Sequence, residues 1–338
     1  MLKKGKTYIF ETPPVITGSA GVVGKKEGEG PLRDDFDAIF EDTTMNQESF
    51  ELAESAMLHD AIIRSLTNAD KSVKDVDLIM TGDLLDQCVG SCFALKDLQI
   101  PFIGMYGACS TMALTLANAS MLVNAGAMCC VAGASSHFAS SERQFRFPLE
   151  YGGQRPPTAQ WTVTGAGSAV VENQNSASSK NTVKIKAVHI GTITDLGIKD
   201  ANNMGAAMAP AAAKTISDVI DDLGSVANDI DLILTGDLGF TGTTLLHEVL
   251  KIEHNKNISA IHNDCGLMIY NLKEQDVNSG GSGCGCSASV LCSHILKQMR
   301  LGKLHKVLFV ATGALMSPTS SKQGQAIPGI AHAVLLEK

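Results

Sequence analysis

Residues 75–84 read DVDLIMTGDL and residues 229–238 read DIDLILTGDL, so one strand-like segment returns almost unchanged half a chain later. The segments downstream of each copy also keep their order. GACSTMALTLANAS (107–120) and CCVAGASS (129–136) come after the first, and GCGCSASVLCSHIL (283–296) and VLFVATGALMS (307–317) come after the second. A period of about 150 residues is too long for a solenoid, whose units run from roughly 20 to 50. Two fused α/β modules fit the repeat, and 338 residues at 44% hydrophobic content supply the apolar material for both.

Charge and cysteine usage exclude several classes. With a net charge of −8 and no long Lys/Arg run, the chain lacks the electrostatic footprint of a nucleic-acid surface. Nine cysteines, an odd number, behind a Met1-Leu2-Lys3-Lys4 start without a cleavable signal point to free thiols in a reducing compartment. From Leu98 to Ser136 there is no Asp, Glu, Lys or Arg. A spanning helix needs about 20 apolar residues, but Pro101, Gly104, Gly107, Asn118, Asn124 and Gly126 cut this run into a strand (101–105), a helix (110–124) and a strand (128–133). That pattern predicts an interior helix between strands covered on both faces.

Elsewhere, apolar spacing predicts a helix over 47–66 and a strand over 77–81. The second half repeats the pair as a helix over 211–223, with Pro210 in its first turn, and a strand over 232–235. Further strands are expected at 162–171 and 182–190, and the polar ENQNSASSKN stretch (172–181) between them sets the boundary between a first half, 1–175, and a second, 176–338.

Cys109 is the position most suited to chemistry. It stands where a Gly-containing turn leaves a strand and enters a helix, so the helix dipole is expected to lower its thiol pKa. A cysteine that only packs in the core carries the same local sequence. Cys129 and Cys130 read as strand core. Cys284, Cys286 and Cys292 lack the second closely spaced pair of a tetrahedral zinc site.

The duplicated pattern, the GACST turn, TGAGSAVV (164–171) and GIAHAVLLE (329–337) together resemble the thiolase and ketosynthase superfamily over nearly the whole chain. MYGACSTMAL, SSERQFRFPLEYGGQRPPTAQWTVTGAGSAVV and DANNMGAAMAPAA more narrowly resemble a thiolase-like family of bacterial endospore proteins that bind dipicolinic acid. The resemblance implies a five-layer αβαβα body. In the superfamily a cysteine works with two second-half partners, two His or a His and an Asn. Here Gly236-Asp237-Leu238-Gly239 stands at the first position, Cys284 at the second, and the Gly loop 324–329 lacks the second cysteine of true thiolases. A nucleophile without those partners cannot polarise a thioester, so the resemblance implies a binder rather than an enzyme. The competing expectation is an acyl-CoA-dependent acyltransferase or ketosynthase pairing Cys109 with His137, His247 or His332.

Dipicolinate is a flat aromatic diacid, and arginine forks suit its carboxylates. Arg143, Arg146 and Arg155 lie in a segment with Phe145, Phe147, Tyr151, Gln154 and Trp161 that the resemblance places as a cap over the cysteine; a solvated basic loop reads the same way. The expected ligand-binding set is Cys109, Ser136, His137, Arg143, Arg146, Gln154, Arg155, Lys199, Asn203, Met204 and Cys284. No cofactor or protein-held metal is implied, since any calcium would arrive chelated by the ligand. The resemblance also implies a homodimer, peripheral association with the spore inner membrane, and membrane transport proteins as partners.

Overall fold

A computed structural model of the chain describes residues 1–145, 154–175, 177, 181–227 and 229–338. In the first half, strands β1 (Val15–Gly24), β2 (Leu78–Gly82), β3 (Phe102–Gly104), β4 (Cys129–Ser136) and β5 (Gly165–Glu172) lie in the order β3-β2-β4-β5-β1. In the second, β6 (Val183–His189), β7 (Leu232–Thr235), β8 (His262–Asp264), β9 (Lys306–Ala314) and β10 (Gly329–Glu337) lie in the order β8-β7-β9-β10-β6. Both orders are 3-2-4-5-1. The parallel and antiparallel pairings also match strand for strand. Among the described residues, the two sheets meet where β6 pairs with β1 through Val183↔Ile16 and Lys184↔Val15.

Side-chain alternation along each strand feeds two cores at once. Cys130 and Ala132 face the central core, whereas Cys129 and Val131 face the outer one. On β9, Val307 and Phe309 point to the centre and Leu308 and Val310 to the opposite outside. The tandem cysteines are therefore strand core, one on each face. The middle layer holds α3 (Thr111–Asn124) and α7 (Cys284–Val290), with Met112, Leu116 and Ala288 fully buried between the sheets. The helix α1 (Phe50–Asn68) covers the first sheet. The second is covered by α5 (Met204–Leu223) and α6 (Gly239–Glu253). The uncharged run at 98–136 is thus a strand, a buried helix and a strand, and among the described residues no helix is long and apolar enough to cross a membrane.

Two local expectations are corrected. The second-half helix starts at Met204 rather than 211, and Pro210 lies inside it. The Asn203 side chain caps the first turn by accepting from Ala206 N at 3.3 Å, and the alanines after it have the highest helix propensity, which offsets the hydrogen bond that Pro210 cannot donate. The strand expected over 162–171 is split into Trp161–Thr162 and β5, because Thr164 N leaves the ladder to donate to Glu27 Oε1 at 3.0 Å. The expected boundary at 175/176 adjoins residues 176 and 178–180, which lie outside the described residues.

Candidate functional site

Cys109 is presented by a tight turn between β3 and α3. Ser110 N and Oγ both donate to Gly107 O, at 3.1 and 2.6 Å, and Thr111 Oγ1 donates to Ala108 O at 2.7 Å. Ala108 takes a left-handed φ of 50°, uncommon for a residue with a Cβ. The turn seats against β9 of the other half because Gly313 has no side chain there. A Cβ at Gly313 would lie 2.4 Å from Gly107 O.

The group facing the thiol is Asp237, in the turn after β7. Its carboxylate is fully buried, accepts from Gly283 N at 2.9 Å, Thr312 Oγ1 at 2.9 Å and Ser282 Oγ at 3.3 Å, and interacts electrostatically with the Cys109 thiol. Gly283, with φ of +100°, supplies a backbone conformation in which its N–H meets that oxygen. Burial raises the Asp237 pKa to about 7 despite those donors. Burial and then the Asp237 charge push the Cys109 thiol well above its ordinary value. The expectation of a thiol acidified by the helix dipole is corrected: at 5% exposure, desolvation and the adjacent carboxylate outweigh it.

Cys109 opens onto a cavity of about 40 Å³, walled by Leu84, Tyr106, Ala108, Ser141, Glu142, Phe145, Thr162, Met204, Ser282, Ala314 and Met316. Three wall residues come from α4 (Phe138–Phe145), which begins the segment that carries Arg143 and Arg155. Of the expected set, Cys109 and Met204 are on this wall. Cys284 lies behind it and donates its thiol to Ser135 O at 2.9 Å. Ser136 Oγ ties β4 to α7, donating to Val163 O at 2.7 Å and accepting from Gly285 N at 3.1 Å. His137 is buried, its Nε2 2.8 Å from Thr43 O, and burial lowers its pKa. Arg143 pairs with Glu51 on a separate surface cleft. Arg155 stacks on Trp161 at 4.1 Å from the ring centre and lies 3.9 Å from Glu142. Gln154 and Lys199 are exposed, and Asn203 is the helix cap. Arg146, Phe147 and Tyr151 lie outside the described residues.

The histidines offered as alternative partners are engaged elsewhere. His247 Nε2 is 3.1 Å from His262 Nδ1, and His332 Nδ1 accepts from Gly191 N at 3.2 Å. None of the three candidates is on the cavity wall. Sequence reasoning misses Asp237, Glu142, Ser141 and Tyr106. The signal for Asp237 is nevertheless in plain view, since TGDL places an acid at the same point of both repeats. In the first half that acid is Asp83, which instead caps α2 (Val89–Leu95) through Ser91 N at 2.7 Å and crowds the buried Glu54.

Residues 4–337 match the family Stage V sporulation protein AD. The Stage V sporulation protein AD of Bacillus subtilis (strain 168) is 46% identical over 334 residues, covering 98% of this chain and 97% of that protein. Three solved structures share the fold at low identity. The 3-oxoacyl-[acyl-carrier-protein] synthase III from Aquifex aeolicus VF5 matches with TM-score 0.56 and 14% identity over 96% of this chain and 100% of its own. Human mitochondrial 3-ketoacyl-CoA thiolase in complex with CoA matches with TM-score 0.59 and 11% identity over 97% and 98%. A Xanthomonas campestris OleA variant matches with TM-score 0.60 and 12% identity over 97% and 100%. The fold is therefore thiolase-like, with two α/β halves in five layers. By its match along almost the entire length, the chain belongs to the Stage V sporulation protein AD family, a sporulation-related group of thiolase-like proteins.

Proposed function

We propose that this protein binds dipicolinic acid, or its calcium chelate, in the Cys109 cavity without turning it over, during spore formation and germination. The observation that carries the reading is the pairing of Cys109 with Asp237. A carboxylate facing a buried thiol stabilises the thiol and opposes the thiolate, so the cysteine is a wall group rather than a nucleophile. Where acyl chemistry would need donors aimed at a developing oxyanion, Cys284 spends its thiol proton on Ser135 O.

The cavity must open to take this ligand. At about 40 Å³ it holds little more than water, whereas pockets for small molecules span roughly 300–1,000 Å³. Phe145, Met204 and Met316 are the wall residues with the size and adaptability to move, and two are methionines, which repack at low cost. Arg155, its guanidinium carbon 4.1 Å from the Trp161 ring centre, is the arginine that faces the wall residue Glu142, at 3.9 Å. Calorimetric titration with dipicolinate, with and without calcium, tests the reading; no heat of binding in either condition ends it. Intact-mass detection of an acyl adduct on Cys109 after exposure to acyl-CoA thioesters would establish the enzyme instead.

The chain also fits a homodimer. Among the described residues, edge strand β3 has no partner on its outer side, and Ile103, Tyr106 and nearby Phe93 are each more than two-fifths exposed. Tyr106 also walls the cavity, so a second copy on this edge would cover the site. A monomeric mass by sedimentation at micromolar concentration would count against it. Membrane transport proteins of the spore, and peripheral attachment to its inner membrane, remain the partner and place that this reading supports.

A further inference from the structure

Glu142 is the one charged side chain on the cavity wall among the described residues, and it is 5% exposed. Arg155 approaches it with Nη2 3.9 Å from Oε1, inside ion-pair range and too long for a hydrogen bond. The Arg155 guanidinium is held in place by two rings, Trp161 at 4.1 Å and Phe138 at 5.0 Å, which themselves stack 4.0 Å apart at 11°. Thr162 Oγ1 donates to the same carboxylate oxygen at 3.4 Å. Beside them Ser141 Oγ is buried on the cavity wall with no hydrogen-bond partner among the described residues. The cavity therefore meets a carboxylate with a fixed cation next to it, a hydroxyl already donating and a second hydroxyl without an acceptor. A dianion entering this space meets a like charge, while its best-matched cation is already facing an acid.

We propose that Glu142 is a resident competitor: its carboxylate holds the place beside Arg155, Thr162 and Ser141 that a ligand carboxylate takes when Glu142 swings aside. This rests on the dipicolinate reading above and adds a mechanism of selectivity to it. A ligand with one carboxylate gains little by displacing an equal charge. A planar diacid can engage this cluster with one group while the other finds donors elsewhere, so exchange favours diacids.

Calcium-free dipicolinate titrated into the full chain and its variants decides the matter. Glu142→Gln, which keeps the shape and removes the charge, is expected to bind roughly tenfold tighter, with the gain shrinking at high salt. Arg155→Lys is expected to bind roughly tenfold weaker, since an ammonium cannot fork or stack, and it should erase the gain when combined with Glu142→Gln. Binding seen in Glu142→Gln but not in wild type also supports the exchange. If wild type binds and Glu142→Gln binds equally or less well with an unchanged melting temperature, the competitor is overturned and the dipicolinate reading stands. Unchanged affinity in Arg155→Lys overturns it as well. If no form binds, the proposed function fails and this inference falls with it.

Discussion

At Cys109 two effects compete for the thiol proton. A helix terminus contributes about 0.3–1 kcal/mol toward the thiolate, whereas burial beside a carboxylate moves a pKa by as much as about 3–5 units the other way. The second wins, which gives a chemical test. Cys92 is exposed and the other eight cysteines are buried and free, so iodoacetamide at about pH 8, near the ordinary thiol pKa, should label Cys92 rapidly and leave Cys109 unmodified in the native protein, read by peptide mass mapping. Fast modification of Cys109 would mean that Asp237 does not hold its proton. The arginines separate by environment in the same way. Arg155→Ala is expected to cost about 2–5 kcal/mol of dipicolinate binding, because it leaves a buried charge unpaired. Arg143→Ala, which breaks a half-exposed pair with Glu51, should cost less than about 1 kcal/mol. Cys109 was legible in the sequence from its Gly-containing turn, whereas Asp237 was legible only as the repeated acid of TGDL and not as the partner of the thiol. Its role depends on a contact across 128 positions (237 − 109) that no local pattern encodes.

Among the elements, α5 shows how a local signal and a tertiary one divide the work. DANNMGAAMAPAA supplies Asn203 and Met204 to the expected ligand-binding set, and the structure makes Asn203 the N-cap and Met204 a wall residue. Asn203→Ala should therefore lower stability by about 0.5–2 kcal/mol, measured by denaturant unfolding, with little change in dipicolinate affinity. Weaker binding at unchanged stability would return Asn203 to the ligand. The strands behave more simply. Alternation places Cys129 and Cys130 on opposite faces of β4, and continuous burial results from helices on both sides. Helix ends are less legible, since Pro210 marks a helix start only when nothing upstream caps the chain first.

Across the whole molecule, the buried acids set how stability depends on pH. The Asp237 pKa is raised from an ordinary aspartate value near about 3.9 to about 7, so the folded state binds a proton that the unfolded state has already lost between those values. This stabilisation is complete below about pH 4 and is lost as pH rises through about 7. Glu54 and Asp83, buried against each other, and Asp264, buried at the start of α6, are raised as well and act in the same direction. His137, His189, His247, His262 and His332, whose pKa burial lowers, act the other way below about pH 6.5, so the test is a difference: between about pH 5 and about pH 8 the melting temperature of Asp237→Asn should fall less than that of wild type. A steeper slope in the variant would reverse the assignment. The duplication, the alternation of helix and strand and the buried middle helix were all readable in the chain, because each is a repeat or a local period that hydrophobic burial enforces. Which acid faces the cysteine, which arginine stands beside the cavity and how small that cavity is were decided only when the two halves closed on each other. Those features arise from side chains of different repeats meeting in a dry interior, where packing and desolvation assign to Asp83 and Asp237, identical in sequence context, a helix cap in one half and the partner of a thiol in the other.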